Sequence, residues 1–143
     1  MKLYTSYFGN VPKLASAGIV PVSISRFSPS WFHGVEYKEL TPSFENLALK
    51  YHPEQYTKVY QETVLGTLSP LQVLRDLVEI GNGKDVAICC YEKPGSFCHR
   101  HLVSEWLNFR IKAKPLVFPL TGKDLEPVTE FAQELPLVAL FGN

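Results

Sequence analysis

Residues 84–107 read KDVAICCYEKPGSFCHRHLVSEWL, and this stretch decides the fold. Asp85 opens an unbroken apolar run, Val86-Ala87-Ile88-Cys89-Cys90, that ends at Tyr91. A run without polar alternation belongs to a strand covered on both faces, as in the centre of a parallel sheet. Pro94 and Gly95 then break the chain, and a helical pattern follows from about residue 97 to 109. Turned at about 100° per residue, that helix presents Leu102, Val103, Trp106 and Phe109 on one inner face. Extended back one turn, the same face meets Cys98 and His99, whereas Arg100 and His101 are expected to point outward. His101 stands four residues before Glu105, the spacing of an ion pair on a helix surface.

The flanking sequence repeats the alternation of strand and helix. Residues 3–8 (LYTSYF) and 19–25 (IVPVSIS) read as the first two strands. Between them Asn10 can cap a short helix with Pro12 in its first turn and Gly18 at its end. His52-Pro53 opens a helix whose apolar face runs through Tyr56, Val59, Tyr60, Thr63 and Val64 until Gly66 stops it. Ser69-Pro70-Leu71-Gln72 is a capping box with proline in the first turn. The helix it starts is expected to bury Leu71, Leu74, Leu77 and Val78 and to end at Gly81-Asn82-Gly83. Residues 114–120 (KPLVFPL) suggest a further strand, residues 124–133 a short helix, and the apolar tail 135–141 (LPLVALF) either an edge strand or a surface docked on a partner chain.

This pattern predicts one α/β domain over residues 1–143, with its core in 2–120 and a helix and tail in 121–143. Its architecture is three-layered and Rossmann-like, a mostly parallel sheet with helices on both faces. A chain of 143 residues with 45% hydrophobic and 13% aromatic content can fill one such core. Fourteen basic residues balance fourteen acidic ones, which argues against a protein that coats duplex nucleic acid by charge. No apolar run has the length of a membrane span, and Met1-Lys2 leads directly into strand-like sequence. Three cysteines, two of them adjacent, do not form a secreted disulfide framework. A soluble cytoplasmic protein without membrane contact is the expectation.

Ligands of parallel sheets bind beyond the carboxyl ends of the strands. Asn10, Arg26 and Tyr91-Glu92 all fall at such ends. Cys98 and His99 at a helix amino end meet unpaired N–H groups that favour anions and thiolates. Cys98 is therefore a candidate reactive thiol, Arg100 a candidate grip for phosphate or carboxylate, and Glu92 or His99 a candidate proton carrier, with Glu92 equally open to the role of a capping carboxylate. Cys89 and Cys90 read as small hydrophobes, a role equally open to Cys98. Arg26 with the nearby Trp31-Phe32 pair can hold a base by stacking and a phosphate by charge, although the pair can also simply cover the rim of the core. A phosphatase- or rhodanese-like loop is discounted because Arg100 follows Cys90 by ten residues, too far for that compact cradle. A zinc site of Cys90, Cys98, His99 and His101 matches no usual ligand spacing. No metal and no cofactor are expected.

The segment CYEKPGSFCHRHLVSEWL, Cys90 to Leu107, resembles the signature of the bacterial and phage family called domain of unknown function 488. Members of that family carry a similar strand, an E-K-x-P turn and a C-H-R helix start. The resemblance extends loosely over residues 2–120, through LYTSYFGN, a second strand running into arginine, and the paired-helix segment 51–77. Many members end the second strand with an acidic residue shortly before the arginine; here VSISR places Ser23 and Ser25 there. The resemblance implies a parallel α/β domain with a polar pocket of Arg26, Glu92, Cys98, His99 and Arg100, and a link to nucleotide or nucleic-acid processing.

Three functions follow as expectations. The first is an enzyme acting on a nucleotide or nucleic-acid base, with Arg26, Arg100, Tyr91, Asn10 and Trp31 binding and Glu92, Cys98 and His99 carrying the chemistry. The second is a non-catalytic module for a small anionic ligand or a protein partner. The third is a structural subunit that forms a homo-oligomer through its tail.

Overall fold

A computed structural model describes residues 2–92, 96–113 and 133–134. Five strands form one sheet in the order β3-β2-β4-β1-β5, and every neighbouring pair is parallel. The strands are β1 (Leu3–Tyr7), β2 (Val20–Ser23), β3 (Val35–Glu36), β4 (Val86–Cys90) and β5 (Gln133–Glu134). The helices are α1 (Val11–Ser16), α2 (Phe44–Ala48), α3 (Pro53–Thr63), α4 (Pro70–Gly81) and α5 (His99–Ala113). The expected α/β fold with a parallel sheet is the fold observed. The strand expected over 114–120, nearly all of the helix expected over 124–133, and the tail 135–141 lie outside the described residues. Gln133, at the end of that expected helix, instead pairs with Tyr4 as part of β5.

The unbroken apolar run is the middle strand, with all five residues of β4 buried between β1 and β2. Its side chains divide by the period of two. Val86, Ile88 and Cys90 join the larger core with residues of α3, α4 and α5. Ala87 and Cys89 join Leu14 of α1, Phe8 and Ile19 on the opposite face. Adjacent cysteines thus belong to different layers, and only Cys90 faces α5.

Helix boundaries follow the local chemistry. Ser69 Oγ accepts from the Gln72 N–H at 3.3 Å, completing the cap expected for α4. Asn82, in the left-handed conformation at φ 48°, ends α4, and Gly83 follows at φ 91°. The buried face of α4 is rotated from the expected one: Val73 is buried and Leu71 only partly so, because α4 packs against both β4 and α5. Thr63, expected on the inner face of α3, is exposed in its last turn and bonds the Val59 carbonyl instead. Asn10 precedes α1 but does not cap it; its amide donates to Ser6 Oγ at 3.1 Å.

Two buried polar contacts fix the irregular stretch between β3 and α3. Tyr60 Oη donates to the Leu40 carbonyl at 2.6 Å, and Asn46 Nδ2 donates to the Tyr56 carbonyl at 3.0 Å. Both groups are wholly buried, so leaving either partner unbonded would carry a desolvation cost. These bonds carry residues 42–56 to the carboxyl edge of the sheet.

Candidate functional site: a cleft beyond β2 and β4

The register aligns Val22 with Ile88 and Ser23 with Cys89, while Tyr7 lies beside Cys90. The carboxyl ends of β1, β2 and β4 therefore share one edge, as expected for a ligand site in a parallel sheet. A cavity of about 210 Å³ opens there. Ser25, Arg26 and Phe27 form one wall after β2, and Tyr91 and Glu92 form another after β4. His99 of α5 closes the inner end, and Pro42, Leu47, Lys50 and Tyr56 complete the lining.

The cations are held differently. Arg26 Nε donates to the Pro42 carbonyl at 2.9 Å, and its guanidinium lies 4.2 Å from the centre of the Phe44 ring. A bonded and stacked guanidinium is preorganised for an anion. Lys50 is exposed at the mouth, 4.9 Å from the centre of the Tyr51 ring. Phe27 and Tyr91, both more than half exposed, offer ring surface to the same opening. Beneath them Tyr56 is buried, and burial, reinforced by Cys98, Cys90 and Glu92, raises its phenol well above the ordinary value.

His99 is fixed from behind. Its Nε2 lies 2.8 Å from the Ile24 carbonyl, so that nitrogen carries the proton and donates, leaving Nδ1 as the acceptor. Nδ1 lies 3.9 Å from Cys98 Sγ, and Cys98 Sγ lies 2.7 Å from Cys90 Sγ. Cys98 itself is 3% exposed and does not line the cleft. Burial, then the neighbouring Cys90, pushes its thiol pKa far up, outweighing the opposite pull of His99. In the metal-free site, desolvation thus opposes the thiolate that the amino end of a helix favours.

Arg100 departs most from expectation. Instead of pointing outward it is wholly buried, and it is the largest such side chain among the described residues. Its Nη1 donates to the Glu92 carbonyl at 2.6 Å and approaches Cys90 Sγ at 3.9 Å. Helical periodicity places a first-turn residue relative to its own helix, but here the carboxyl end of β4 and the turn at Glu92 draw it inward. Arg100 therefore lies behind the cleft and braces its wall.

Of the other expected ligand contacts, Tyr91, Glu92 and Arg26 line the cleft. Asn10 is buried on Ser6, and Trp31 is turned to the Phe8 ring, edge-on at 6.4 Å between centroids. Neither lines the cleft; Trp31 and Phe32 cover the rim of the smaller core around Phe8, as the alternative reading of that pair has it. At the end of β2, Ser23 Oγ bonds Ser28 Oγ at 2.7 Å, and Ser28 donates to Glu36 Oε1 at 2.6 Å. Lys50, Phe27 and the inward role of Tyr56 were missed by sequence reasoning. Lys50 sits in an irregular stretch without local pattern, and the helical period of Tyr56 marks only burial.

No helix among the described residues is long and apolar enough to cross a membrane. No curated protein and no solved structure matches the chain. A family model described as "Active DUF488-N3 subclade" matches residues 13–111, which include both walls of the cleft and the C-H-R start of α5. The chain therefore belongs to the DUF488 family, within its DUF488-N3 subclade.

Proposed function

We propose that the chain is an enzyme acting on a nucleotide or a nucleic-acid base held in the cleft beyond β2 and β4. The supporting observation is the composition of that one cavity. Arg26 and Lys50 supply positive charge, Phe27 and Tyr91 supply exposed rings, and the Glu92 carboxylate stands among them. Phosphate binding needs the first group, base stacking the second, and proton transfer the third. A cavity of about 210 Å³ favours a small ligand over a long strand. The neutral net charge agrees with a small ligand.

Glu92 is the favoured proton carrier. His99 Nε2 is committed to the Ile24 carbonyl, and its Nδ1 is directed at Cys98, so its role in this reading is to shape the inner wall. That same commitment favours the second reading, a binding module without turnover, in which Glu92 only hydrogen-bonds the ligand.

One experiment separates the two. Nucleosides, nucleotides and short oligonucleotides are screened by thermal shift, and those that stabilise the chain are assayed for chemical change. Glu92→Gln should keep the shift and lower turnover by about a hundredfold or more. Stabilising ligands that remain unchanged over long incubation would establish the binding module, and the absence of any stabilising nucleoside, nucleotide or oligonucleotide would remove the enzyme reading.

A further inference from the structure

We propose that Cys90, Cys98 and His99 form a zinc site at the junction of β4 and α5. Their donor atoms, two sulfurs and one imidazole nitrogen, all lie within 4.8 Å of one another, and all three residues are buried. Two thiolates with an imidazole are the donor set that suits zinc, and a Cys₂His site leaves a fourth position for water or ligand. The spacing along the chain hides this arrangement. Strand β4 sends Cys89 to the opposite face, where its Sγ meets the Ala87 carbonyl, and Cys90 alone turns toward α5.

The orientation of His99 carries the proposal. A histidine that ligates a metal donates its other ring N–H to a carbonyl or carboxylate, which fixes both tautomer and ring angle. His99 makes that bond through Nε2 to the Ile24 carbonyl at 2.8 Å and leaves the Nδ1 lone pair on the side of the sulfurs. Nothing in a packed pair of thiols, or in a disulfide, requires a third donor aimed in this way. Arg100 Nη1, 3.9 Å from Cys90 Sγ, supplies the N–H that offsets negative charge on a ligating thiolate. The 3.9 Å from Cys98 Sγ to His99 Nδ1 is near the edge of a zinc tetrahedron, about 3.6 Å from bond lengths of about 2.3 and 2.1 Å. The two sulfurs, 2.7 Å apart, must open by about 1 Å to reach the sulfur–sulfur edge of about 3.8 Å. Cys98 precedes α5, and its carbonyl accepts from the His101 N–H at 3.1 Å, so its backbone is anchored and the opening must come from a turn of its side chain about the Cα–Cβ bond.

The test uses the full chain, purified without chelator. Elemental analysis should find about one zinc per chain, retained against a weak chelator. Replacement by cobalt should give a thiolate-to-cobalt charge-transfer band in the near ultraviolet, a readout that needs no variant. Cys98→Ser and His99→Phe should each weaken zinc binding by at least about tenfold, and His99→Cys should retain the metal. Zinc bound equally well by the Cys98→Ser protein would place the metal elsewhere and overturn the proposal. A metal-free chain with three titratable thiols and no cobalt band would reduce the cluster to packing. A metal-free chain lighter by two hydrogens, with only Cys89 titrating, would make it a disulfide.

Discussion

Arg100 donates from Nη1 to the backbone carbonyl of Glu92 across 2.6 Å, so a buried cation on α5 holds the first turn beyond β4 and with it one wall of the cleft. Removing that donor leaves a carbonyl without its bond and a cavity where a large, wholly buried side chain stood. Arg100→Ala should lower unfolding free energy by at least about 2 kcal/mol. Arg100→Lys should recover only part, since an ammonium lacks the planar fork. Urea unfolding of the ligand-free chain measures both, and equal stability of Arg100→Ala and wild type would show that the brace is dispensable.

Residues at the mouth of the cleft should behave oppositely. Lys50→Ala should change stability by no more than about 0.5 kcal/mol, because its side chain is exposed. Arg26→Ala loses its Phe44 contact as well and should cost about 1 kcal/mol. On the proposed function, each should weaken a nucleoside monophosphate about tenfold, a loss of about 1.4 kcal/mol, and leave the parent nucleoside nearly unaffected. Calorimetric titration of the two ligands checks this, and equal losses for both would detach these cations from phosphate.

Burial raises the thiol of Cys98 and the phenols of Tyr37, Tyr56 and Tyr60 above their ordinary values. The folded, metal-free chain keeps these groups neutral at a pH where the unfolded chain releases their protons. Their contribution to stability is complete below the unfolded values, about 9 for the thiol and about 10 for the phenols, and is lost as pH rises beyond them. Urea midpoints should therefore hold steady from about pH 7 to 8.5 and fall progressively above about pH 9. Cys98→Ser should make the first part of that fall shallower, and an unchanged slope would remove Cys98 from the effect.

Tyr37 and Asp76 join the segment after β3 to α4 through a hydrogen bond of 2.5 Å, and Asp76 also accepts from Gln72 at 2.8 Å. Tyr37→Phe should cost about 1–2 kcal/mol in urea unfolding, since it deletes a bond to a charged acceptor and little volume. Tyr60→Phe should cost a similar amount by leaving the Leu40 carbonyl unbonded in the core. A loss below about 0.5 kcal/mol in either variant would show that water replaces the hydroxyl.

Much of this molecule was legible in sequence. The apolar run 86–90 identified its central strand, Ser69 and Gln72 the start of α4, and Asn82-Gly83 its end, because each depends on groups within one helical turn or on the two-residue period of a strand. Strand ends located the cleft and supplied Arg26, Tyr91 and Glu92, since a parallel sheet brings those ends to one edge whatever the loops contain. Sequence could not tell that Arg100 turns inward, that Trp31 serves the smaller core, or that Lys50 and Tyr56 reach the cleft. Those positions depend on contacts between groups that no local pattern pairs: Arg100 with the Glu92 carbonyl, Trp31 with Phe8, and, around Tyr56, the bonds of Asn46 to Tyr56 and Tyr60 to Leu40. Cys90, Cys98 and His99 belong to the same class. The facing of β4 and the packing of α5 against it decide their meeting, and His99 owes its orientation to Ile24, a residue that only the packed sheet brings within reach.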